Sequence, residues 1–256
     1  MPKGDNNKKG KENNRFGDKT GQVYTTNEGY SIEITVYNNA HDCSVRFIDG
    51  TILNKLSYLN IRRGNIKNPH RKSVYGVGYF GLGKYDSKTH RKIYKTWTGM
   101  VERCYDLKRQ EKHPTYKGCI VAEEWHDFQN FAEWFENNYK EGFALDKDIL
   151  IKGNKIYSPN TCCFVPREIN NSFVKSDSIR GKYPIGISKA KDKFIAHISI
   201  NGKRVRLGMF DTPEEAFQTY KTAKEVYIKE VAGKWKDQIS KNVYQVMYNY
   251  KVEITD

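Results

Sequence analysis

Two neighbouring segments in the C-terminal third of the chain carry side chains that could contact nucleic acid. In KFIAHISI, His197 and Ser199 alternate with apolar residues, and in KRVRLGMF, Arg204 and Arg206 alternate with Val and Leu. Arginine side chains bond the edges of guanine bases in a DNA groove, and neighbouring lysines hold phosphates. The spacing therefore predicts a surface that binds DNA.

Three strands and one helix are predicted to position these side chains. The alternation has the period of a β-strand, and Asn201-Gly202 between the two segments is a strong hairpin signal. The preceding IGIS stretch predicts a third strand, and TPEE, which begins at Thr212, predicts the capped start of a long helix. The helix face expected to pack across the sheet consists of Ala216, Tyr220, Ala223, Tyr227 and Val231.

The charge of the chain supports a polyanionic partner. The 256 residues include 44 Lys plus Arg against 30 Asp plus Glu, which gives a formal net charge of +14 and a pI near 9.4. Between Arg180 and Phe210 there are eight basic residues and one acid, Asp192, so about half of the net charge lies in this segment. Solubility alone is the alternative explanation, but the clustering argues against it.

The same segment resembles a known DNA-binding family. GIS…KFIAHISINGKRVRLGMFDTPEEAFQTY is similar to the Apetala/ethylene-response-factor domain, which is also found in phage and homing endonucleases. The likeness implies a three-stranded antiparallel sheet, packed on one helix, that contacts double-stranded DNA. The residues implicated are Ser188, His197, Ser199, Arg204 and Arg206, with Lys191, Lys193 and Lys203 beside them. Arg206 replaces the family's usual Trp, so the target sequence stays open, and a solvated basic sheet face is the alternative.

The middle of the chain predicts a strand, a loop, a second strand and a helix. LDKDIL and CCFVP are the strand-like stretches, KGNKIYSPN joins them, and the helix is expected from Pro166 through Phe173. Together with WTGMVERCY and YKGCIVAEEWHDFQNF, this segment resembles a phage-type variant of the HNH endonucleases. The likeness implies a ββα-metal fold in which an Asp and an Asn hold one divalent ion and a His activates water.

The resemblance places the metal ligands on Asp146 and Asn160, and the expected ion is Mg²⁺, which prefers oxygen ligands. The family's base position falls on Lys147, and lysine is protonated at pH 7 and cannot accept a proton. Asp148 is a possible extra ligand or base, and His126 a possible proton acceptor from another loop. Asp146 and Asn160 also fit an ordinary strand end and turn.

Further candidates for this site are His113, as a proton acceptor, and Asn170, near the ion.

The five cysteines form no C-x-x-C pair, which predicts buried, reduced thiols rather than a disulfide framework or a zinc ribbon. No apolar run is long enough for a membrane span, and MPKGDNNKKGKENN lacks the apolar stretch of a signal peptide. We therefore expect a cytoplasmic protein without a membrane partner, in the host cell cytoplasm if the chain is phage-encoded.

The predicted fold class is α+β, with several domains. The first would be a small β-barrel-like module, whose role is open between scaffolding and nucleic-acid or protein contact. The full division is a flexible basic arm at 1–22, the β module at 23–74, a linker at 75–94, the HNH-like module at 95–176, the DNA-binding module at 180–235 and a tail at 236–256 in which helix is favoured over strand.

Two functions remain in view at this point. The first is a metal-dependent endonuclease that nicks or cleaves double-stranded DNA, a hydrolase acting on phosphodiester bonds. The second is a DNA-binding protein without catalysis on the same scaffold, such as a regulator or a host-interaction or anti-defence protein, which Lys147 favours. RNA binding is weaker, because the predicted strands have few exposed aromatics for base stacking. Any protein partner is unknown.

Overall fold

The computed structural model describes residues 17–173 and 182–254. The chain mixes helices with several small sheets and divides into two compact units between Arg71 and Lys72. Most of the arm predicted at 1–22 lies outside the described residues.

The first unit is built on a four-stranded antiparallel meander. Its elements are β1 (Val23–Thr25), β2 (Ser31–Asn39), β3 (Asp42–Phe47), β4 (Ile52–Leu56) and helix α1 (Tyr58–Arg62). Gly50, with φ of +86°, lies in the predicted hairpin between β3 and β4. Ile34, Val45 and Phe47 form the core on one face of the sheet.

The predicted barrel does not close. Among the described residues, β1 and β4 are the two edges of the sheet and do not pair with each other. Ile61 from α1 and the following Ile66 cover the apolar face instead. A helix thus buries the core that strand closure was expected to bury, because β1 and β4 have only three and five residues.

The second unit has an aromatic core between helices. Its helices are α2 (Arg91–Tyr105), α3 (Leu107–Lys112) and α4 (Phe128–Asn138), with 3₁₀ turns at Pro114–Tyr116 and Glu123–Trp125. Trp97, Phe128 and Phe131 are fully buried. Trp97 Nε1 donates to the Trp125 carbonyl at 2.8 Å, so the indole is satisfied inside the core.

The segment predicted as a linker at 75–94 packs against this core. Gln129 Oε1 accepts from the Tyr85 N–H at 3.0 Å, and Gln129 Nε2 donates to the carbonyls of Phe80 and Tyr85. A Cβ at Gly83 would lie 2.3 Å from the Gln129 amide oxygen. Glycine at this position allows the segment predicted as a linker to pack closely.

The predicted strand-loop-strand-helix arrangement is present. Strands β6 (Phe143–Asp146) and β8 (Cys163–Pro166) pair antiparallel, and α5 (Arg167–Ser172) follows β8 directly. The loop between them contains β7 (Ile156–Tyr157), which pairs in parallel with β5 (Ile120–Val121). This second pairing ties the loop to the segment after α3.

The C-terminal elements form a sheet and two helices. Strands β9 (Ile187–Ala190), β10 (Lys193–Ile200) and β11 (Lys203–Phe210) lie in the order β11-β10-β9, followed by α6 (Pro213–Trp235) and α7 (Lys241–Tyr248). The predicted cap is confirmed, because Thr212 Oγ1 accepts from the Glu215 N–H. In the tail, the helical alternative is found over the eight residues of α7.

Helix α6 has two partners rather than one. Ala216, Phe217 and Tyr220 in its first half pack with Ala196 of the sheet. Its second half packs against β8, α5 and α7 through Ile228, Val231 and Ala232. The prediction that the whole face crosses the sheet is wrong beyond the middle of the helix.

All five cysteines are free, four of them buried and Cys163 half-buried, in agreement with the predicted thiols. Within 17–173 and 182–254, no helix combines the length and apolarity needed to span a bilayer.

Candidate nucleic-acid interface and the adjoining cleft

The outer face of the C-terminal sheet brings together the side chains predicted to read DNA. Arg206 pairs with His197 and Arg204 pairs with Ser199 across β11 and β10. Paired residues of antiparallel strands project from the same face of the sheet. Ser188 on β9 also lies on this face, beside Ile195.

A register shift near the centre of the face changes the geometry of β11. Ala196 pairs with Gly208 and His197 with Arg206, so Leu207 is the extra residue of a β-bulge. Bulges increase the local twist and re-aim neighbouring side chains. Arg204 and Arg206 are exposed, and neither has a side-chain hydrogen bond or ion pair with any residue that the structure describes. Both guanidinium groups are available to a partner.

His197 is the half-buried member of this face. Its Nε2 atom lies 3.0 Å from Ser188 Oγ. Burial, followed by the charges of Arg204 and Arg206, lowers the pKa of His197 below its ordinary value of 6.5. The neutral imidazole therefore dominates at pH 7, and the positive charge of the face comes from arginine and lysine.

The three predicted lysine contacts lie at the ends of the strands. Lys191 is in the turn between β9 and β10 with φ of +54°, and Lys203 begins β11 after the Asn201-Gly202 turn. Lys193 is half-exposed and forms an ion pair with Asp211. Lys191 and Lys203 are therefore better placed than Lys193 to contact a phosphate.

A cleft in the same unit collects most of the predicted catalytic residues. It has a volume of about 370 Å³, and Asp146, Lys147 and Asp148 line it together with Asn170. The other lining residues are Lys95, Thr96, Gly99, Arg103, Tyr116, Ala144, Leu145 and Tyr157. Helix α2, strand β6 and the 3₁₀ turn at Pro114–Tyr116 thus supply its walls.

Asp146 ends β6 and is bound by the loop that follows. Its Oδ1 atom accepts the N–H groups of Asp148 at 2.7 Å and of Ile149 at 2.8 Å. Burial raises the pKa of Asp146 above the ordinary 3.8, and these two hydrogen bonds oppose the rise. One carboxylate oxygen is therefore already engaged in shaping the loop.

Lys147 is buried, and its ammonium group is satisfied. Nζ donates to Asp148 Oδ1 at 2.6 Å and to the Asn154 carbonyl at 2.9 Å. Asn154 Nδ2 donates in turn to the Lys147 carbonyl at 2.8 Å. Lys147 thus closes the loop between β6 and β7 and neutralises Asp148, which is a structural role at the position that the resemblance gives to a base.

Three of the predicted site residues do not line the cleft. His126 Nε2 donates to the Val121 carbonyl at 3.0 Å, which orients the ring toward its own loop. Asn160 is exposed in the turn after Pro159. His113, at the start of a 3₁₀ turn, is likewise absent from the lining.

The two ligands that the resemblance implies for a divalent ion are not both part of the lining. Within the described ranges, no three His, Cys, Asp or Glu side chains come close enough together to hold a metal ion. The predicted ligands Asp146 and Asn160 do not share the cleft, and Lys95, Arg103 and Lys147 bring three positive charges to it. Positive side chains disfavour a dication and favour an anion.

Lys95 and Arg103 are lining residues that were not predicted from the sequence. They lie eight residues apart on α2 with Gly99 midway, on the side opposite the buried Trp97 and Val101. Spacings of four residues repeat on one helix face. The pattern K-x₃-G-x₃-R on the polar face of the predicted helix was the available signal.

Comparisons of the chain with family models, curated proteins and solved structures give no match. The two family resemblances therefore rest on the quoted motifs alone.

Proposed function

We propose that the chain binds double-stranded DNA through the outer face of the β9–β11 sheet. The observation that carries this proposal is the pair of cross-strand neighbours His197 with Arg206 and Ser199 with Arg204 on one face. An antiparallel sheet fits the major groove, where arginine forms paired hydrogen bonds with guanine O6 and N7. The net charge of +14 favours the same partner.

Duplex DNA is a better candidate than single-stranded nucleic acid. Proteins that bind single strands stack bases on exposed aromatic rings. The outer face carries Ile195 and Met209 where a stacking platform would need aromatics. The aromatic residues of the three strands, Phe194 and Phe210, pack instead on the helix side.

The test is the binding of a labelled duplex by fluorescence anisotropy, with single-stranded DNA and RNA as competitors. The double variant Arg204→Ala/Arg206→Ala should lose at least about tenfold in affinity, which corresponds to about 1.4 kcal/mol. Arg62→Ala/Arg63→Ala removes the same charge from exposed positions in the first unit and serves as the matched control. Equal loss in both variants, or equal affinity for single strands, would count against the proposal.

A metal-dependent endonuclease is the second candidate. It is favoured by the β6–β8–α5 arrangement, which places Asp146 at a strand end beside a cleft. Supercoiled plasmid would be incubated with the protein in Mg²⁺, Mn²⁺ or EDTA, alongside Asp146→Ala and Asn160→Ala. Metal-dependent nicking that both variants lose would support the endonuclease. Tight binding without cutting in any metal would leave a DNA-binding protein without nuclease activity.

A further inference from the structure

Arg103 has an unusual environment for a half-buried arginine. Its Nε donates to Tyr157 Oη at 3.2 Å, and its guanidinium carbon lies 5.6 Å from the centre of the Tyr157 ring and 5.7 Å from that of Tyr116. Burial raises the pKa of Tyr157, so the hydroxyl stays neutral. In the part of the chain that the structure describes, no carboxylate forms an ion pair with Arg103.

The remaining donors of Arg103 have no partner among the described residues and can bind a ligand. A guanidinium group has five N–H donors in a planar fork, and only one of them is engaged by Tyr157. Arginine held on aromatic rings and presented to a cleft suits a planar pair of anionic oxygens, as in phosphate or carboxylate. The two tyrosines fix its position before any ligand arrives.

Lys95 adds a second cation to the same wall. It is exposed, lines the cleft and, within the described residues, has no ion pair. Gly99 lies between Lys95 and Arg103, about one helical turn from each. A Cβ on Gly99 would meet only Arg103 Nη1, at 4.0 Å. The glycine leaves an open strip of helix between the two positive groups.

The charges of the cleft favour one monoanion. Lys147 neutralises Asp148 through their 2.6 Å ion pair, and the Asp146 carboxylate accepts two backbone N–H groups. The basic side chains that line the cleft outnumber its acids by three to two, so a single negative charge would balance it. A phosphodiester group carries one negative charge and oxygens that accept from a guanidinium fork.

We propose that this cleft binds a phosphate group of the DNA backbone directly, through Arg103 and Lys95, with no metal ion between them. The inference rests on the proposed DNA binding and adds a second contact, away from the base-reading sheet. Sequence-independent phosphate contacts position a protein on the duplex while base contacts select the site.

The test measures duplex affinity in EDTA over a series of NaCl concentrations for the full chain. Each phosphate contact contributes a slope of roughly one to the plot of log affinity against log salt. Lys95→Ala and Arg103→Gln should each lower that slope, the double variant should lower it by about one because the two side chains share a single phosphate, and added Mg²⁺ should not restore it. Lys95 is exposed, so its variant stays informative if Arg103→Gln fails to fold.

The matched control is Lys108→Ala, which removes an exposed lysine outside the cleft. Cleft variants that keep the slope of Lys108→Ala, or that recover with Mg²⁺, would overturn the phosphate site. Arg204→Ala/Arg206→Ala separates the two proposals. If this sheet variant loses affinity while the cleft variants match the control, the sheet interface stands and the cleft contact fails. The opposite result retains the cleft and removes the sheet, and a wild-type chain without duplex affinity removes both.

Discussion

His197 Nε2 lies 3.0 Å from Ser188 Oγ, and this hydrogen bond joins β10 to β9 across the outer face of the sheet. Burial is the main cause of the lowered pKa of His197, and Arg204 and Arg206 add to it. The unfolded chain therefore binds a proton at His197 at a higher pH than the folded chain does.

This difference sets the sign of a pH effect on stability. As the pH falls from about 6.5 toward the lowered folded-state pKa, the unfolded state gains the proton first, so the free energy of unfolding falls. Above about 6.5 both states are neutral and the contribution is fully present. Urea unfolding of wild type and of His197→Gln would be measured at pH values above and below this window. The free energy of unfolding should fall more steeply with falling pH in wild type than in the variant. Parallel pH profiles would contradict the assignment.

Gly186 is predicted to tolerate no side chain. Its φ is +78°, and a Cβ there would lie 2.2 Å from the ring of Tyr220, which is buried against the sheet. Gly186→Ala should lower the free energy of unfolding by more than about 1 kcal/mol, because both the backbone and the ring must move. Gly233→Ala in α6 is the control, since no atom lies within 4 Å of its Cβ position. That variant should gain up to about 1 kcal/mol from helix propensity, and denaturant unfolding would measure both.

Gln129 is predicted to hold the glycine-rich segment in place. Its amide makes three hydrogen bonds to the backbone of Phe80 and Tyr85. Gln129→Ala should cost on the order of 3 kcal/mol, because buried backbone groups lose their partners. Limited proteolysis should then cut within 75–85, whereas Asn130→Ala at the exposed neighbouring position should leave the segment protected. A variant with wild-type stability and protection would show that the segment is held by other contacts.

Asp146→Asn is predicted to stabilise the protein near neutral pH. The folded-state pKa of Asp146 is raised, chiefly by burial, so the ionised carboxylate costs stability once the pH exceeds the ordinary 3.8. Asparagine keeps an oxygen that can accept from Asp148 and Ile149 and carries no charge. Denaturant unfolding should show the gain at pH 7 and its disappearance in acid. A loss of stability at pH 7 would mean that the negative charge is used, as it would be in a cation site.

The sheet was well predicted because its signals are local. Period-two alternation and the Asn201-Gly202 turn, with φ values of +50° and +76°, determine which residues face each other. The pairing of His197 with Arg206 follows from that register. The bulge at Leu207 was not predicted, because one extra residue in a strand leaves no local sequence signal that separates it from ordinary alternation.

Features that depend on distant partners could not be predicted. Gln129 contacts Tyr85, which precedes it by 44 residues, and the sequence around Tyr85 contains no pattern that predicts this contact. Apolar periodicity in α6 indicates which side is buried but not which neighbour covers it. Arg103 fits the helix pattern of α2, and the role proposed for it depends on Tyr116 and Tyr157, which only the fold brings beside it.

Because α6 packs in two hydrophobic clusters, its length sets the distance and the angle between them. Ala216 packs on the sheet and Val231 packs beside Ile169, about 22 Å further along the axis at the rise of an α-helix. A single inserted residue between them would rotate one cluster by about 100° relative to the other and lengthen the spacing. The outer face of the β9–β11 sheet and the cleft, both proposed to contact DNA, would then change their orientation relative to each other. We therefore expect the fold to tolerate substitutions in α6 far better than insertions or deletions.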